Sequence, residues 1–155
     1  MANTLLAGTA APTMKVKDQN GNEISLSDYL GSKVILYFYP ADDTPGCTAE
    51  SCNLRDNYEM LLEKGINILG VSADDEESHQ KFIEKYSLPF PLIADTDKSF
   101  STAFGTWGEK NLYGKISIGM IRTTFIIDEF GVISHVIKRV KTGEHTQQIL
   151  DLLNK

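Results

Sequence analysis

Three continuous apolar runs constrain this chain most. Lys33–Tyr39 (KVILYFY), Ile66–Ala73 (INILGVSA) and Thr123–Asp128 (TTFIID) lack the alternation of a half-solvated strand. Runs this short, rich in β-branched and aromatic residues and flanked by turn residues, predict strands covered on both faces. Covering both faces requires helices, and the intervening segments supply them. Thr48–Leu62 reads as a helix stopped by Lys64-Gly65. Glu76–Tyr86 places His79, Phe82, Ile83 and Tyr86 on one stripe, and His145–Leu153 turns Ile149, Leu150 and Leu153 inward. Asn20-Gly21 predicts an N-terminal β-hairpin between MKVKDQ and NEISL. Glu129-Phe130-Gly131 predicts a second, antiparallel return into Val132–Arg139. The expected fold class is α/β, a central mixed sheet with flanking helices.

With 155 residues and no repeat or linker, the chain is expected to form one domain spanning 1–155, burying roughly 70% of its unfolded surface. A net charge of −6 and a pI near 5.0 argue against nucleic-acid or anionic-membrane partners, which need a basic face. The opening MANTLLAGTAAPTM has no basic n-region, and no segment reaches the roughly 20 apolar residues of a membrane span. Two cysteines do not make a secreted disulfide framework, so a cytoplasmic protein is expected.

Both cysteines lie in Thr44-Pro45-Gly46-Cys47-Thr48-Ala49-Glu50-Ser51-Cys52, directly after the first apolar run. Thr44-Pro45 is a helix-start signal, a hydroxyl suited to capping followed by proline at the first helical position. Cys47 then falls in the first turn, where unpaired N–H groups and the helix dipole favour a thiolate. Gly46 is expected to leave the sulfur approachable. On a helical wheel Cys47 shares the inward side with Leu54, Tyr58 and Leu61, whereas Cys52 is rotated about 140° toward Asp56 and Glu59. Residues five apart in an intact helix have Cα atoms about 8.6 Å apart, beyond the roughly 7 Å a disulfide tolerates. The two thiols can bond only if the first turns unwind. Polar Glu50, Ser51 and Asn53 around that hinge predict an easy opening.

A zinc module is the rival reading of C-x₄-C, yet His79, His135 and His145 offer no obvious third or fourth ligand, so no metal is expected. A disulfide exchanger would carry C-x-x-C, which is absent. Nothing positive marks a chaperone or interaction protein.

Pro40-Ala41-Asp42-Asp43-Thr44-Pro45-Gly46-Cys47 is similar to the peroxiredoxin signature P-x-x-x-T-x-x-C, and YFYPADDTPGCTAESC resembles the Q-type subgroup, the bacterioferritin comigratory protein family. The resemblance continues through SLSDYLG, LGVSADDEESHQKF, LPFPLIAD, WGEK and IRTTFIID in family order. It implies a thioredoxin-like sandwich and thiol-dependent reduction of hydrogen peroxide and organic hydroperoxides, with no cofactor. Cys47 matches the peroxidatic cysteine, Thr44 the threonine bonding thiolate and peroxide, Arg122 the stabilising arginine, and Cys52 the resolving cysteine. Pro40 matches the shielding proline, and Glu50 sits where a glutamate holds the arginine. Phe90 and Trp107 are expected either to flank the peroxide pocket or to pack in the core. Thioredoxin or a similar dithiol is the implied reductant, and a monomer the implied state. Met14 and Thr123 depart from the usual aromatic and serine.

Overall fold

The computed structural model describes residues 4–154, so residues 1–3 and 155 of the expected 1–155 domain lie outside the described residues. In chain order the elements are β1 (Val16–Lys17), β2 (Glu23–Ile24), β3 (Lys33–Phe38), α1 (Pro45–Asp56), α2 (Tyr58–Glu63), β4 (Ile66–Ser72) and α3 (Glu76–Tyr86). There follow β5 (Leu92–Ala94), α4 (Ser99–Phe104), β6 (Trp107–Leu112), β7 (Lys115–Met120), β8 (Thr123–Ile127), β9 (Ile133–Ile137) and α5 (His145–Leu153). Short 3-10 turns occupy Leu26–Tyr29 and Thr142–Glu144.

The three apolar runs are β3, β4 and β8, the centre of a five-stranded sheet ordered β5-β4-β3-β8-β9. β3 pairs parallel with β4 and antiparallel with β8, which makes the sheet mixed. Successive strand residues face opposite sides, and the two sides form separate cores. Ile35, Tyr37 and Tyr39 join Cys47, Leu54, Leu61, Phe82 and Ile149 beneath α1, α2, α3 and α5. Val34, Leu36 and Phe38 join Phe100, Phe104, Phe125 and Met120 on the other side, with α4 and the N-terminal segment. The β1–β2 hairpin turns through Asn20-Gly21, where Gly21 takes φ +78, a conformation that needs no side chain.

α3 and α5 have the expected bounds. The Asp75 carboxylate caps α3 by accepting from the Ser78 N–H at 2.9 Å. The helical stretch expected over Thr48–Leu62 with a start signal at Thr44-Pro45 is α1 and α2 together, and it departs from expectation in the middle. Proline at N1 starts it at Pro45. At Asn57 it breaks, because the Asn57 amide donates to the Asn53 carbonyl at 2.8 Å while its N–H turns to Leu54; short polar side chains compete with helical backbone bonds in this way. Periodicity gives no sign of β5 or the β6–β7 hairpin, whereas α4 follows the turn residues Asp95-Thr96-Asp97. No helix among the described residues is long and apolar enough to cross a membrane.

Candidate active site

The carboxyl end of β3 leads through Pro40–Asp43 into α1, and two aspartates fix that loop. Asp42 accepts from the Tyr39 hydroxyl at 2.6 Å and the Ser78 hydroxyl at 2.8 Å, and lies 2.7 Å from His79 Nδ1. Asp43 holds a left-handed φ of 57, secured by Lys85 Nζ and the Tyr86 hydroxyl, each at 2.7 Å. Both aspartates tie the loop to α3, which sets where α1 begins.

Thr44 occupies the N-cap position, but its hydroxyl makes no cap bond. It donates instead to the Ala41 carbonyl at 2.9 Å, tightening the turn before the helix. Cys47 follows at the third helical position, and its side chain is fully buried. Arg122, in the connection between β7 and β8, lies over it. Its Nη2 donates to Cys47 Sγ at 3.4 Å, and its Nη1 donates to Glu50 Oε1 at 2.8 Å. One guanidinium thus bridges the sulfur and the carboxylate one helical turn away.

The expectation that Gly46 exposes the sulfur is corrected. A Cβ at position 46 would stand 3.1 Å from Arg122 Nη2. The missing side chain makes room for the guanidinium, and the guanidinium covers the sulfur. A surface depression of about 540 Å³ lies on the outer side of that cover, lined by Pro40, Ile121, Arg122, Glu109, Lys110 and Lys138. Arg122 lines it, and Cys47 does not.

The expected polar hinge also needs correction. Glu50 and Ser51 are fully buried. Ser51 Oγ lies 2.9 Å from the Tyr37 hydroxyl in the core. Asn53 accepts from the Thr146 N–H at 2.7 Å and donates to the Gly143 carbonyl at 3.0 Å, stapling α1 to the start of α5. These side chains are polar because they join elements, not because they face water. Cys52 is half-buried on the same unbroken helix, and both cysteines are free thiols.

Burial dominates the electrostatics. It pushes the Glu50 carboxyl up to about 7, with Arg122 pulling back only in part. It drives His145 down to about 4, with Gln148 opposing and Arg122 assisting. Burial works against the Arg122 charge as well, but Cys47 and Glu50 outweigh it and raise the guanidinium pKa.

The structure therefore brings together Cys47, Arg122 and Glu50, places Pro40 on the same depression as Arg122, and holds Cys52 apart. Phe90 packs in the core against Tyr37 and Tyr58, and Trp107 packs against the opposite core beside Lys98. Among the described residues, the His/Cys/Asp/Glu group with converging ligand atoms is Asp42, Asp74 and His79, which includes neither cysteine. Sequence reasoning missed His145, whose Nε2 lies 3.4 Å from Glu50 Oε2. Its place at the head of the last helix was legible, but its neighbour 95 positions earlier was not.

The family model described as AhpC/TSA matches residues 7–136. A putative peroxiredoxin bcp of Coxiella burnetii is 45% identical over 146 residues, covering 94% of this chain and 97% of its own. Peroxiredoxin Bcp of Escherichia coli K12 is 42% identical over 153 residues, covering 99% and 98%. Among solved structures, a bacterioferritin comigratory protein of Xanthomonas campestris, described for its alkyl peroxide reduction activity, superposes with a TM-score of 0.87 at 33% identity, covering 96% and 98%.

Proposed function

The chain belongs to the AhpC/TSA family as a thiol-dependent peroxidase of the peroxiredoxin Q type, and we propose that Cys47 is the sulfur that peroxide oxidises and Cys52 the thiol that resolves it. The observation that carries this assignment is the Arg122 guanidinium donating at once to Cys47 Sγ and Glu50.

In the first step the Cys47 thiolate attacks the terminal oxygen of ROOH. An S–O bond forms as the O–O bond breaks, sulfur loses two electrons, and the departing RO⁻ takes up a proton to become ROH. Charge moves from sulfur toward oxygen, and the first N–H groups of α1, with Arg122 once peroxide has entered, are donors beside that path. Thr44, released from Ala41, is placed to contact the entering peroxide. Peroxide approaches from the depression between Pro40 and Arg122, so the guanidinium must shift to admit it.

In the second step the first turns of α1 open, and the Cys52 thiol attacks the Cys47 sulfenic acid. A disulfide forms, and the thiol proton leaves with the hydroxyl as water. An external dithiol then restores both thiols by exchange. The reading extends to thioredoxin as that dithiol and to a single-domain cytoplasmic monomer.

Counting thiols after one equivalent of peroxide tests the assignment. Two thiols are lost and a reduced dithiol restores them, whereas Cys52→Ser loses one and accumulates a trappable sulfenic acid. Loss of a single thiol from the unaltered protein refutes the role of Cys52.

A further inference from the structure

Glu50 Oε2 is buried and makes no hydrogen bond within the protein. A buried carboxylate oxygen without a donor is costly. His145 Nε2 lies 3.4 Å from it, with both side chains fully buried.

The hydrogen-bond network fixes the tautomer of His145. Gln148 Oε1 accepts from the Lys141 N–H at 3.1 Å, while Gln148 Nε2 donates to the Arg139 carbonyl at 2.8 Å. The amide orientation is thus set by two backbone partners. Its oxygen faces His145 Nδ1 at 3.0 Å, so Nδ1 carries the hydrogen and donates. In the neutral ring Nε2 is then an acceptor, lying 2.8 Å from the Thr124 hydroxyl, which donates to it. Nε2 spends its single lone pair on the Thr124 hydroxyl and carries no hydrogen, so an ionised Glu50 Oε2 would find no donor on that ring. A proton on Glu50 removes the buried charge.

We propose that the Glu50 carboxyl, facing a His145 nitrogen that has no hydrogen to give it, holds a trapped proton, and that His145 is thereby a positioning residue that keeps the Arg122 charge committed to Cys47. The inference rests on Cys47 being the oxidised sulfur. With the proton present Glu50 is neutral, and Arg122 faces one anion rather than two. Loss of the proton leaves a buried carboxylate competing for Arg122 beside the sulfur that must expel negative charge.

The groups facing the pair are few. Cys47 approaches from α1, Arg122 from the β7–β8 connection and Tyr37 from β3, where Glu50 contributes to raising the phenol; Thr124 and Gln148 complete the surroundings of His145. Lys141 and Glu144, beside α5, are exposed to solvent. The upward displacement of Glu50 to about 7 and the downward displacement of His145 to about 4 place the proton on the carboxyl.

Two spectroscopic measurements on the reduced, unaltered protein test this without peroxide. Nitrogen-15 NMR is expected to show His145 neutral and protonated at Nδ1 near pH 6. Infrared difference spectra are expected to show a protonated-carboxyl band that vanishes as pH rises through neutrality and is absent in Glu50→Gln. A kinetic measurement then reads the consequence. The rate constant for Cys47 sulfenic acid formation is expected to fall on the alkaline side. His145→Gln, whose amide can donate to Oε2, should move the midpoint of that fall down by about one pH unit, and Glu50→Gln should abolish it. A His145 that is charged or protonated at Nε2, a missing carboxyl band, or a His145→Gln profile lowered uniformly without a shifted midpoint overturns the inference. Failure of the thiol count with both spectroscopic signals intact would instead overturn the role given to the cysteines.

Discussion

Replacing Ser51 with alanine should speed disulfide formation without altering the oxidation that precedes it. Ser51 lies between the two cysteines on α1, and its hydroxyl is bonded to Tyr37 in the core. Any opening that lets Cys52 reach Cys47 must release that bond. In Ser51→Ala the intact helix keeps the Tyr37 hydroxyl buried without its partner, at a cost of about 1–3 kcal/mol. Opening admits water to the phenol and removes that cost. Alanine favours helix over serine by about 0.5 kcal/mol, so the net bias toward the open form is about 0.5–2.5 kcal/mol. If opening precedes a slower bond-forming step, this bias raises the disulfide rate by about 2- to 70-fold. Stopped-flow fluorescence separates a peroxide-dependent phase from a later, peroxide-independent one. The first should match the unaltered protein, because Ser51 does not touch the sulfur, and the second should accelerate within that range. A second phase that is unchanged or slower refutes the claim that the buried Tyr37–Ser51 contact restrains α1.

Gly46→Ala places a methyl group 3.1 Å from the present position of Arg122 Nη2, displacing the donor from Cys47. Sulfenic acid formation should slow by up to roughly 100-fold, the low end of the range for loss of one preorganised donor because the guanidinium is displaced rather than removed, while the urea midpoint changes little. Stability against pH gives a further test. Glu50, raised to about 7, contributes stability that is full below its ordinary 4.5 and lost as pH rises through 7. His145, lowered to about 4, contributes stability that is full above its ordinary 6.5 and lost as pH falls through 4. Their slopes oppose between about pH 4.5 and 6.5 and nearly cancel there. Glu50→Gln leaves His145 alone, so stability from urea unfolding should climb across that window relative to the parent, by up to about 1.4 kcal/mol per pH unit. Parallel profiles would contradict it.

What could be read from the sequence follows the range of the interactions involved. The strands β3, β4 and β8 and the helices α3 and α5 are specified by local runs and stripes, and they occur where expected. Pro45 fixed the start of α1 and put Cys47 in its first turn. Arg122 came only through the resemblance, because its partner lies 75 positions away. The polar hinge misled because polarity suggests solvent, whereas Ser51 pairs in the core with Tyr37; the bond of Glu50 to Arg122, like Arg122 itself, was legible only through the resemblance. β6 and β7 escaped because their pairing to each other carries little apolar pattern: Ile116 and Ile118 remain largely exposed.

The division of the apolar interior by the sheet bears on how often this molecule can be used. Phe38, Phe100, Phe104 and Phe125 all lie on the side away from α1. A helix that comes loose during turnover therefore leaves half of the hydrophobic mass undisturbed, and the strands remain as a template on which it rewinds. If α1 opens in this way, repeated cycling need not pass through the globally unfolded chain.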